Sequence, residues 1–168
     1  MLPAIVKSFS VWLKGTKLSW FVIHYTWVWP ACETLHFVGL AMLVGVVGLI
    51  DLRLLGVAKR APFAPLHRLL PWAISGFGIC LVTGSMFFVG DPFQYIHNYV
   101  FWLKMLFILL TALNVLAFYV TGVFHKVEAL GPGDDAPVSA KVIAAVSLFL
   151  WVGVMYLGRM LPFLGDAF

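Results

Sequence analysis

Charge is what this chain has least of. Of 168 residues only 11% are Asp, Glu, Lys or Arg, while 62% are hydrophobic. That balance excludes an ordinary soluble domain, where about a quarter of residues carry charge. Eleven basic residues against seven acidic ones make too thin an excess for a nucleic-acid footprint. They read instead as the Lys and Arg that set membrane topology. Cysteine is scarce as well: Cys32 and Cys80 both fall in apolar runs and give no disulfide framework. No phosphate-binding loop, dinucleotide fingerprint, CxxC pair or nucleophile elbow is present, which sets soluble-enzyme chemistry aside. Lys14 and Lys17 interrupt the apolar core that a cleavable signal peptide needs.

Long apolar runs fill the space that charge leaves. Four stretches, 30–54, 69–89, 99–124 and 138–161, are each long enough to cross roughly 30 Å of hydrocarbon at about 1.5 Å per residue. Pro30 and Pro71 stand near the starts of the first two, where a missing N–H costs nothing. Short connections follow from composition: a basic, proline-bearing loop at 57–68, an Asp91-Pro92 turn, and a Gly, Pro and Asp-rich loop at 125–137. Residues 1–28 alternate apolar and basic groups among Trp and Tyr, the pattern of a helix or broken helix lying in the membrane interface. The expected fold is all-α: an integral membrane antiparallel four-helix bundle over 29–168, preceded by an N-terminal interfacial amphipathic segment. The charge-dense 51–68 loop predicts a cytoplasmic connection, with both termini periplasmic.

Ionisable groups inside such runs are expensive, so each is a candidate site. The first run holds Glu33 and His36, three residues apart and so on one helix face. In the third, His97, Lys104, Thr111, Asn114, Thr121 and His125 recur by sevens and threes, a polar seam along one face. His36 lies about 9 Å below the start of its run by helical rise, and His97 precedes the third run on the same side. Histidines at matching depth on different helices are what haem iron requires. His36 and His97 are therefore the predicted axial ligands of haem b, with Gly39 making room and Lys104 and Arg159 near the propionates. Glu33 is the predicted acceptor for the other His36 nitrogen. His67 and His125 form a weaker second pair on the opposite side. A hydrogen-bonded packing seam without ligand explains the same residues equally well. Copper or zinc on Cys32 and His36, completed by Met42, Met86 or His97, is a further alternative.

The runs WPACETLHFVGLAMLVG and DLRLLG, the Pro71-Trp72 start, Asn114 and SLFLWVGVMYLGR resemble a family of small bacterial four-helix inner-membrane proteins of unknown function. The resemblance implies an inner-membrane location and lends no catalytic residue. In hydropathy and histidine placement the chain is also similar to cytochrome b-type subunits and to copper-resistance membrane proteins. The function expected is a membrane electron-transfer subunit. It would bind haem b and pass electrons between the quinone pool and a redox partner protein, with the lipid bilayer as its surroundings. The alternative is a non-redox scaffold subunit, or a metal-ion or small-solute carrier, built on a buried polar network.

Overall fold

A computed structural model describes residues 4–164, and these are 80% helical with no strand among them. Nine helices follow one another: α1 (Ala4–Lys14), α2 (Lys17–His24), α3 (Val28–Leu55), α4 (Phe63–His67), α5 (Leu70–Gly90), α6 (Pro92–His97), α7 (Tyr99–Val120), α8 (Val123–Val127) and α9 (Val138–Met160). Four of them, α3, α5, α7 and α9, are long and apolar enough to cross a membrane.

Local chemistry sets the boundaries. Helix α3 starts two residues ahead of Pro30, which leaves that proline in the first turn, where no intrahelical N–H is needed. It stops at Gly56, whose φ of +96° only glycine adopts freely, and the Gly56 and Val57 N–H groups close back onto α3 carbonyls. The third long helix ends at Val120, short of the predicted 124. Gly122, at φ +70°, breaks it and begins the separate turn α8. Asn98 caps α7 by accepting from the Val100 N–H at 2.9 Å.

Helix α3 packs on α5 and α9, and α7 packs on α9, whereas α3 and α7 make no extended contact with each other. The α3–α5 crossing is the closest. A Cβ on Gly39 would stand 2.8 Å from the Gly76 carbonyl, and one on Gly76 would stand 2.5 Å from the Gly39 carbonyl. Leu43, Ala73, Trp151 and Val154 fill the middle of the long helices. Of the segment 1–28, the described residues form α1 and α2 ahead of α3. They pack over the start of α3, the end of α5 and α6, with Trp12, Trp20 and Trp27 exposed.

Candidate functional site

The two ends of the long helices treat their polar groups differently. Where α3 and α9 approach the 56–62 and 131–137 loops, Arg53 is fully buried. Its guanidinium donates to the carbonyls of Ala61, Gly131 (2.8 Å) and Asp134 (3.2 Å). The loops are laced further by Phe63 N–H to Leu130 O and Gly133 N–H to Lys59 O. Lys59 and Lys141 both pair with Asp135, at 3.1 and 2.9 Å, and hold its carboxyl below the usual range. At the aromatic end, buried Asn98 donates to Leu161 O and Leu164 O, each at 2.9 Å, and so ties α7 to the end of α9.

Two turns in from the aromatic end lies a different layer. His36 of α3 faces Thr83 of α5, with Nδ1 and Oγ1 2.7 Å apart. The Thr83 hydroxyl has one proton, and Ile79 O and His36 Nδ1 are each 2.7 Å from it. With the proton on Ile79 O, Thr83 accepts from His36 Nδ1–H and Nε2 keeps its lone pair; with the proton turned to His36, Nδ1 is the acceptor and Nε2 carries the hydrogen. Cys80 donates to the His36 carbonyl at 3.5 Å. Lys104 enters this layer from α7, its charge acting on both His36 and Cys80. Its ammonium lies 3.4 Å from where a Cβ on Gly158 would be, against α9. No carboxylate lies within 4.0 Å of Lys104 among the described residues. One turn nearer the aromatic end, the thiol of Cys32 meets the Met86 sulfur at 3.5 Å.

The predicted site residues divide accordingly. His36 and Lys104 share the layer. His97 is exposed on α6, its Nδ1 2.8 Å from Phe93 O and its ring stacked on Phe93. Arg159 is exposed and turns its guanidinium over the Phe163 ring. Glu33 is exposed, and its charge is felt at Tyr95 of α6. The Tyr95 hydroxyl is pushed up to about 12 by burial first and then by Asp91 and Glu33. The nitrogen of His36 expected to face Glu33 is held by Thr83 instead. Gly39 meets the α5 backbone. His67 is 3.1 Å from the Tyr119 hydroxyl, and His125 is 3.7 Å from Glu128, the two rings lying on either side of Phe124. The polar seam predicted for the third run does not stay on one helix: Lys104, Thr111 and Asn114 lie on α7 and are at least partly buried, while His97 lies on α6, Thr121 just past the end of α7 and His125 on α8, all three exposed.

Sequence reasoning passed over Arg53, Asn98 and Thr83. Asn98 carried a readable signal, an Asn directly before an apolar helix. Thr83 carried none, because its partner lies 47 positions away. An open cleft of about 480 Å³ at the aromatic end is lined by Lys14, Tyr25, Trp29 and Asp91, apart from the His36 layer. Scans of protein-family models, curated proteins and solved structures find nothing that matches this chain.

Proposed function

We propose that this chain is a multi-pass membrane electron-transfer module that binds haem b in the His36–Lys104 layer. Its four long helices form an antiparallel bundle in the bacterial inner membrane, with both termini periplasmic. The observation that carries this reading is the His36 ring. Thr83 fixes its orientation through Nδ1, and with the ring proton on Nδ1 the other nitrogen, Nε2, would serve as a donor to iron. The residue that fixes the other nitrogen of a liganding histidine is a regular part of such sites. Lys104, an ammonium without a carboxylate partner, suits an acidic group of the ligand. Support extends to these two residues. His97 and Arg159 are engaged elsewhere, Glu33 is exposed, and no second axial ligand is assigned. When bound, the haem would supply one-electron chemistry between the quinone pool and a redox partner. His36 would anchor it and Lys104 would hold its charge.

A reduced-minus-oxidised absorption spectrum of the protein, expressed with added haem precursor, tests the proposal. Haem bands that disappear in His36→Ala and persist in His97→Ala are expected. A colourless protein overturns it. A second reading, a carrier for a soft metal ion, is favoured by the Cys32–Met86 sulfur pair, since thiolate and thioether select Cu(I). Bound copper by elemental analysis, lost in Cys32→Ser, would favour that reading over haem.

A further inference from the structure

At the opposite end of α3 from His36, a second polar group is buried without a counter-charge. Asp51 is 5% exposed, and its Oδ2 is sealed from solvent with no hydrogen-bonding partner among the described residues. The cation two residues on does not serve it, because Arg53 is committed to three loop carbonyls. The polar group that faces the carboxyl is the hydroxyl of Ser147, from α9.

That hydroxyl is available for a structural reason. Other serines and threonines in these helices donate back four residues: Ser10 to Val6, Thr34 to Pro30, Ser75 to Pro71, Ser85 to Leu81. For Ser147 the corresponding carbonyl is Ile143, and Asn114 of α7 donates to it at 3.0 Å. Asn114 thus takes the place the Ser147 hydroxyl would fill, which leaves that hydroxyl for Asp51.

The helices packed on α3 bring no other charge to the carboxyl. Helix α5 contains no Asp, Glu, Lys, Arg or His. On α4, His67 is taken up by Tyr119. On α9, Lys141 pairs with Asp135, while Arg159 lies toward the other end of the helix beside Phe163. Lys17 and His24 of α2 belong to the aromatic end, and in the adjoining loop Lys59 pairs with Asp135 while Arg60 and Arg68 are exposed.

We propose that Asp51 is a proton-binding site in the interior of the helix assembly, with Ser147 the hydrogen-bond donor to its carboxyl and Asn114 the residue that keeps Ser147 free. An isolated carboxylate in an apolar interior neutralises itself by taking a proton. Ca2+ or Mg2+ would need about six oxygen ligands, and Zn2+ about four ligands, mostly nitrogen or sulfur. Asp51 and Ser147 offer one carboxyl and one hydroxyl, and no group of three His, Cys, Asp or Glu side chains exists among the described residues. The site is independent of haem, since no residue is shared with the His36 layer.

The test uses dicyclohexylcarbodiimide on the full chain in bilayer nanodiscs, read by peptide mass spectrometry. The acid's proton passes to a carbodiimide nitrogen and its oxygen bonds to the central carbon. The acyl group then migrates to nitrogen, leaving a stable N-acylurea. An adduct at Asp51 that fades as pH rises, and is absent in Asp51→Asn, is expected. Ser147→Ala and Asn114→Ala should move the midpoint to higher pH by equal amounts, since each removes the donor that favours the charged carboxylate. The double variant should go no further. Should Asn114→Ala fail to fold, Ser147→Ala carries the same prediction with the loss of a single oxygen. An unlabelled Asp51 in folded protein, or a midpoint unmoved by Ser147→Ala, overturns the proposal. Protection by sodium at constant pH also overturns it, in favour of a metal cation.

Discussion

Arg53 and Lys104 are both long cations drawn in among apolar helices, and they are treated in opposite ways. Arg53 is fully buried and directs its donors onto three carbonyls from two loops that are remote in sequence. Lys104 is half-buried, has no carboxylate within 4.0 Å among the described residues, and points into a layer with a free histidine nitrogen. A planar guanidinium with five donors suits bracing of loop carbonyls, whereas a compact ammonium suits a single acidic group. A satisfied buried cation marks a brace, and an unsatisfied one marks a place for a ligand. Asn98 and Asn114 belong with Arg53 in this respect, each tying α7 to backbone carbonyls of the α9 region.

The largest effect is expected at the brace. Arg53→Ala leaves three loop carbonyls without their donor and should destabilise the fold by roughly 3 kcal/mol or more, given about 1.5–3 kcal/mol for a hydrogen bond to a charged group. Thermal unfolding in detergent measures it. Arg53→Lys should recover little, because a point charge cannot span three carbonyls. The α3–α5 crossing comes next. Gly39→Val would drive side-chain atoms into the α5 backbone and should cost about 1–3 kcal/mol, as overpacking does. A variant as stable as the parent would mean that α5 can move away from His36, which would loosen the account of Thr83 as its fixed partner.

The four long helices were legible because length and composition alone decide whether a run can cross hydrocarbon. Their ends were less so. The run predicted to 124 stops at Val120 because Gly122 takes φ +70°, a choice made by the turn rather than by hydropathy. At the site, the spacing of Glu33 and His36 put the two on one helix face, with Glu33 the expected acceptor for the ring. Thr83 of α5 holds the ring, and only tertiary packing brings it there. Arg53 read as the end of an apolar run, since the groups it holds are backbone carbonyls, which no side chain announces.

The smallest effect is expected at the exposed ion pairs of the loop end. Lys141 and Lys59 hold the Asp135 carboxyl below its usual range. A depressed carboxyl contributes stability that is present above its unfolded value, near about 3.9, and is lost as pH falls through the lower folded value. Protection from hydrogen exchange in the 131–137 loop, taken relative to the intrinsic rate, should therefore fall only in acid, and Asp135→Asn should show the lowered protection at every pH, with no acid response left. Protection that falls already at neutral pH would mean that the lysines do not hold the carboxyl.

The most direct test of the distinction between brace and site is the thermal stability of Lys104→Met beside that of Arg53→Met, both without added ligand. Removing a cation that has no partner relieves a desolvation cost, so Lys104→Met should melt at or above the temperature of the parent protein. Arg53→Met should melt well below it. A Lys104→Met variant that falls as far as Arg53→Met would contradict the account, making Lys104 a second brace and leaving the His36 layer without its anion-binding group.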